Sequence, residues 1–217
     1  MDPKSFTGWP AEAVTFYRGL EADNSREYWT TMKTVYEESV LAPMEALLHE
    51  LADEFGEGKI FRPHRDIRFS ADKSPYKTAI GATLGRGYVQ FSSQGLGVGA
   101  GYYRMAPDQL ARYRDAVASK KPGSALQPVI DELATAGIEV ITRGSLKTVP
   151  RGYPKDHPRA GLLRKRDLAA WKQWPATMSW IHTSSAQDHI VSVLRASQPL
   201  VDWLDANVGP TTLEERH

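Results

Sequence analysis

AIGATLGRGYVQFSSQGLGVGAGYYRM, residues 79–105, decides the fold. Ala79–Leu84 and Tyr88–Ser92 are β-prone runs around Gly85–Arg86–Gly87, and Val98–Met105 is a third. Connections this short can fold a strand back on its neighbour but cannot carry a parallel crossover, so the pairing is antiparallel. Gly95, Gly97, Gly99 and Gly101 alternate along the third run and leave one strand face bare, which suits a helix or a ligand approaching the backbone, with helix packing the expected use.

Upstream, Lys59–Arg62 and Arg65–Phe69 read as further strands, with a turn at Ser70–Ala71–Asp72. Before them the pattern is helical. Pro10 can open a first helix, striped by Val14, Phe16, Tyr17 and Leu20. Asn24 or Ser25 caps a second, in which Tyr28, Trp29, Met32, Val35 and Tyr36 recur at three- and four-residue spacing. Pro43 breaks or restarts it, and Met44, Leu47, Leu48, Leu51 and Phe55 continue the stripe. Downstream, Asp108–Ser119 and Ser124–Ala136 are expected as helices and Ile138–Thr142 as a strand. Residues 143–160 follow as a basic loop. A short helix near Leu168–Gln173, a strand at Ala176–His182 and a closing helix from Ser185 to Asn207 complete the chain. Helices, then a strand block, then helices argue an α+β fold with a central, mostly antiparallel sheet in one domain over 1–210, and a disordered tail at 211–217.

A chain of 217 residues with 41% hydrophobic content can bury one sizeable core. No apolar stretch is long enough to span a membrane, and MDPKSFTGWP at the start has no basic-then-apolar leader pattern. With no cysteine, disulfides, thiolate zinc sites and a cysteine nucleophile are excluded. These features point to the cytoplasm. The histidines at 49, 64, 157, 182, 189 and 217 lack metal-ligand spacing, and no cofactor is implied. GLGVGA at 95–100 copies the letters of a dinucleotide loop, but the helix that should follow at once is missing. Walker, nucleophile-elbow and H-E-x-x-H motifs are absent as well.

The formal net charge of +1 conceals an asymmetry. Lys and Arg less Asp and Glu give −7 over 1–61, +3 over 62–78, +1 over 79–142, +6 over 143–167 and −2 beyond. Such blocks speak about partners rather than fold.

The first block reads RPHRDIRFSADKSPYKT. Arg65 and Asp66 are adjacent, and Asp66 and Arg68 share a face of an extended strand. Ser70 and Asp72 favour a tight turn, and Pro75 extends Ser74, aiming Lys73 and Lys77 to either side of a kink. An arginine fork with a mobile lysine in one turn is what an anion site needs. Pairing of Asp66 and Asp72 with these arginines to pin a sheet corner is the alternative use of the same charges.

The run RDIRFSADKSPYKT resembles the signature of a bacterial and fungal domain-of-unknown-function family, number 2461. The resemblance extends from FTGW at the start to Trp203 and Leu204. It takes in DNSREYW, Gly101–Tyr102–Tyr103 with Pro107 and Leu110, and VPRGYPKDHPRAGLLR at 149–164. Ile67, where a small polar residue is common, and the single Asn of DNS depart from the pattern, but no charged position changes. The family implies an α+β domain and no activity.

In the second motif Arg151, Lys155 and Arg159 recur every four residues, yet Pro150, Gly152, Pro154 and Pro158 forbid a helix, leaving a stiff surface loop. His157, beside Asp156, is a candidate proton carrier, although a lone His next to Asp more commonly makes a structural hydrogen bond.

Two expectations follow. In one, Arg62, Arg65, Arg68, Lys73, Tyr76 and Lys77, with Arg151, Lys155 and His157 as the other wall, form a cationic pocket. It would bind a phosphate- or carboxylate-bearing small molecule, as a binding module or as an enzyme with His157 or Asp66 moving a proton. In the other, the chain is a protein-interaction or scaffold domain with internally paired charges. Tyr76 and the Tyr102–Tyr103 pair could stack bases, but a sequence pI of about 7.9 favours a compact pocket over a nucleic-acid surface.

Overall fold

Pro10 holds an extended entry (φ −67°, ψ 161°) from which α1, Ala11–Ala22, starts, with Ala13, Val14, Phe16, Tyr17 and Leu20 turned inward. The structure is a computed structural model and describes residues 5–68 and 70–213. Ser25 caps α2, Arg26–Thr31, by accepting the Tyr28 N–H at 3.1 Å. A short α3, Lys33–Val35, leads into a π-helical stretch, Tyr36–Leu41, and then α4, Ala42–Phe55. Pro43 lacks an N–H and crowds the carbonyl four residues back. The chain before it is wound to a five-residue hydrogen bond, Ala42 N to Glu37 O, so the helix passes through the proline instead of breaking at it.

Among the described residues, six strands form one sheet in the order β1-β2-β3-β4-β6-β5: β1 Gly58–Ile60, β2 Ala79–Leu84, β3 Gly87–Ser92, β4 Gly95–Tyr102, β5 Glu139–Ile141 and β6 Leu168–Pro175. β1 with β2, β2 with β3 and β5 with β6 pair antiparallel, the hairpin of β2 and β3 running in register from Ala79 opposite Ser92 to Leu84 opposite Gly87. The remaining helices are α5 Pro107–Ala118, α6 Lys120–Thr135, α7 Ala160–Leu163 and α8 Ser185–Asn207. The α+β order is the one the sequence implies.

The chain groups into two units, Met1–Val98 with Gln173–Ser192 and Gly99–Lys172 with Val193–His217. In the first, α4 packs on β1 and β2 and α1 on β3. Trp9 lies flat on Phe91 with centroids 4.9 Å apart, and Ile181 and His182 hold its backbone. Trp29 stacks on Tyr76 at 4.4 Å and meets Phe16 and Tyr36. In the second, α5 pairs with α6 and α7, and Tyr113, Leu126, Leu133, Leu163 and Leu204 are fully or almost fully buried. Trp203 donates its indole N–H to the Pro122 carbonyl at 2.9 Å.

Four local expectations are corrected. Leu168–Gln173 is strand, not helix: its first three residues are buried, and an apolar run buried on both faces has no period to tell strand from helix. Ala176–His182 is not a strand but a turn followed by a 3-10 turn, Ser179–His182. No strand forms over residues 65–68, and Phe69 lies outside the described residues. The bare glycine face of β4 meets backbone rather than a helix. A side chain on Gly95 (φ 118°) would strike the Trp174 carbonyl, and one on Gly101 (φ 132°) the Leu168 carbonyl. Of the expected tail, 214–217 lie outside the described residues, while Thr211 Oγ1 and Thr212 N donate to Asp108 at 2.8 Å each.

Candidate functional site

Pro63 and Pro75 set the shape of the 62–78 tract. Arg65 N donates to Pro75 O and Lys77 N to Pro63 O, each at 2.8 Å, with His64 opposite Tyr76. This short ribbon carries a loop, 66–74, closed by its own charges. Asp72 accepts the Ser74 N–H at 2.9 Å and pairs with the Arg65 guanidinium, which also donates to Ser74 O at 3.2 Å. Asp66 takes both Nε and Nη2 of Arg68, at 3.0 and 2.7 Å, and its backbone N–H at 3.2 Å. Lys73 Nζ donates to Ile67 O at 3.1 Å. Hydrogen bonds from Arg68 lower the Asp66 pKa to about 2, and those from Ser74, then Arg65, hold Asp72 well below the usual carboxylate range.

Tyr76 is 4% exposed and lies face to face on Trp29. Its backbone is bonded at both ends by one side chain, Asn24, which accepts the Tyr76 N–H at 3.0 Å and donates to its carbonyl at 3.2 Å. Asn24 thus replaces a strand partner and ties the α1–α2 connection to the tract. The sequence reading gave it only a capping role, which Ser25 fills. The signal was the Asn of DNSREYW, four residues before the aromatic pair.

Beside the ribbon is a cleft of about 590 Å³, whose lining includes Glu21, Phe61, Arg65, Lys77, Tyr88 and Gln90. Lys77 Nζ donates to Arg62 O at 2.7 Å and sits 5.5 Å from the Phe61 ring centroid. Burial first, then the Arg62 charge, lowers the Lys77 ammonium pKa. Glu21 accepts the Ser93 hydroxyl at 2.6 Å, and Tyr88 donates to Gln90 at 3.0 Å. The structure therefore brings Arg65, Tyr76 and Lys77 to one cleft. Arg62, Arg68 and Lys73 are outside its lining.

The tract lies in the first unit and the 149–159 loop in the second. In the loop, Arg159 donates Nε to Val117 O at 2.6 Å and Nη2 to Ala118 O and Ser119 O at 3.3 and 3.0 Å. Val117 and Ala118 end α5, where helix carbonyls lack intrahelical donors and a cation also suits the dipole, while Ser119 O accepts the Gly123 N–H as well. His157 Nδ1 accepts the Arg159 N–H at 3.0 Å, which places the ring proton on Nε2, 3.3 Å from Ala118 O. Tyr153 donates to Asp115 at 2.7 Å, and burial, then that bond, pushes its pKa up to about 12. Arg151 and Lys155 are exposed cations without an ion pair among the described residues.

An α+β chain with an antiparallel sheet, a proline-framed charged ribbon and a mixed-charge cleft is the class that these features define. The chain belongs to the family described as Conserved hypothetical protein (DUF2461), whose model matches residues 12–203. That description assigns no reaction. No curated protein and no solved structure matches the chain.

Proposed function

We propose that the protein binds a small polar molecule carrying one carboxylate or phosphate group in the cleft of the first unit, anchored by Lys77. One observation carries the reading: the Lys77 ammonium lines the cleft with a backbone carbonyl and a ring face as its contacts and no carboxylate partner among the described residues, whereas Arg65, on the same lining, is already paired with Asp72. A single ammonium suits a single point charge rather than a bidentate clamp. Glu21, Tyr88 and Gln90 offer acceptors and donors for hydroxyl or amino groups elsewhere on the ligand. The reading is of binding rather than catalysis, since Asp66 is held by Arg68 and both ring nitrogens of His157 are engaged.

A thermal-shift screen with small carboxylates, phosphate monoesters and amino acids, followed by calorimetry, tests it. A ligand should raise Tm, Lys77→Met should weaken it about tenfold or more, and Arg68→Ala should leave it unchanged. Equal affinity in wild type and Lys77→Met, or no ligand in the screen, overturns the reading.

The second reading, an interaction domain with internally paired charges, is favoured by the Arg65–Asp72 and Arg68–Asp66 pairs. Its surface would centre on Tyr103, which is 57% exposed with the Arg143 guanidinium 4.8 Å from its ring centroid. A Tyr103→Ser variant that loses a protein partner while keeping its Tm would select this reading.

A further inference from the structure

The second unit contains a cleft with a different chemistry. About 360 Å³ in volume, it is lined by Met105, Pro107, Leu110 and Leu146 and by two guanidiniums, Arg114 and Arg166. Two elements build it. Pro107, Leu110 and Arg114 recur along one face of α5. Across from them, residues 144–146 and 164–166 form a short antiparallel ribbon, with Leu146 N bonded to Arg164 O, Arg166 N to Gly144 O, and Ser145 opposite Lys165. Residues opposite one another in such a ribbon share a face, so Leu146, Arg164 and Arg166 point to one side.

The arginines are unspent. Arg114 Nε is buried without a hydrogen-bond partner, as is Arg164 Nε. Neither residue, nor Arg166, makes an ion pair among the described residues. The acids near them in the chain are committed elsewhere: Asp115 accepts the Tyr153 hydroxyl, and Asp167, 7% exposed, accepts the Arg143 N–H at 2.8 Å. Arg114 and Arg166 both line the cleft, and a guanidinium with no carboxylate beside it keeps its outer donors open to a carboxylate or phosphate. Here the missing partner is an anion, and the four apolar side chains beside it call for an apolar body.

We infer that this cleft is a binding site for an amphipathic anion, a carboxylate or phosphate monoester on a short hydrocarbon tail, with Arg114 and Arg166 receiving the head group and Met105, Pro107, Leu110 and Leu146 the tail. The site is separate from the Lys77 cleft and does not depend on it.

Calorimetry on the full chain with octanoate, octyl phosphate, octanol and inorganic phosphate tests the inference. Octanoate and octyl phosphate should bind and raise Tm; octanol and inorganic phosphate should bind at least tenfold more weakly, because each supplies only one half of the match. Arg166→Gln and Leu146→Ser should each weaken octanoate about tenfold. Arg114→Met, which keeps the apolar stem and loses no hydrogen bond made by Nε, should abolish octanoate binding without lowering Tm. Lys77→Met should leave octanoate binding intact, so failure of one cleft is readable apart from the other. Octanol binding as tightly as octanoate, no octanoate binding, loss of binding in Lys77→Met but not in Arg166→Gln, or a large drop in Tm in Arg114→Met would each overturn it.

Discussion

In the 62–78 tract arginine meets carboxylate; in the 149–159 loop arginine meets the end of a helix. Both segments are rich in cations and prolines, and in sequence they look like two walls of one site. Arg65 and Arg68 close a loop on Asp72 and Asp66, acids two to seven residues away. Arg159 instead spans more than forty residues of chain to the carbonyls of Val117 and Ala118. The first arrangement is local and largely exposed, and exposed pairs of this kind contribute little to stability. The second supplies donors to carbonyls at a helix end, with Ala118 O shared between Arg159 and His157. A basic motif therefore says little until its acceptors are known.

This difference can be broken by measurement. Arg159→Ala should cost about 3 kcal/mol in urea unfolding, the range for losing charge-assisted bonds to several carbonyls. A loss no larger than that of Arg68→Ala would abolish the contrast. Asn24→Ala should cost about 2 kcal/mol, because it strips both backbone partners from buried Tyr76. Asn24→Asp, able to accept but not donate, should fall between, read from the same unfolding curves. His157→Ala should cost about 1 kcal/mol, and His157→Gln less, since an amide can both accept and donate.

The smallest effect is electrostatic. The Asp66 pKa is lowered in the folded chain, so its contribution is present above the unfolded carboxylate pKa and is lost as pH falls toward about 2. The stability gap between wild type and Asp66→Asn should therefore be constant near neutral pH and close between about pH 4 and pH 2. A carboxyl NMR titration placing Asp66 near pH 4 would remove the basis for this.

Much of the fold was legible where structure is local. Ala79–Leu84 and the closing helix Ser185–Asn207 follow from turn chemistry and period and their bounds agree with the structure, while the expected turn Gly85–Arg86–Gly87 gives up Gly87 to β3. Leu168–Gln173 reads as helix in isolation because its strand character comes from its neighbours in the sheet, which so short a window does not contain. Around the candidate site, pairing of Asp66 and Asp72 with arginines of the same tract was one of the two uses the sequence offered, but the strand on which Asp66 and Arg68 would share a face does not form. The roles of Asn24 and Arg159 were not readable, since what each bonds lies some fifty and forty residues away. Glu21, Tyr88 and Gln90 could not be placed beside Lys77 without the topology that brings β2, β3 and the end of α1 around the ribbon.

The π-helical stretch ahead of Pro43 acts as a gear in this chain. Tyr36, Val40, Met44 and Leu48 are all buried at a stride of four residues. On an ordinary α-helix each such stride overshoots a full turn by about 0.4 residue, so the row would wind off the core within a few steps. Widening one turn to a five-residue bond slows the winding where the row is longest, keeping Tyr36 over Trp29 and Leu48 against Gly58 of β1. The aromatic floor beneath the charged ribbon and the first strand of the sheet are thereby set by one helix turning at two rates.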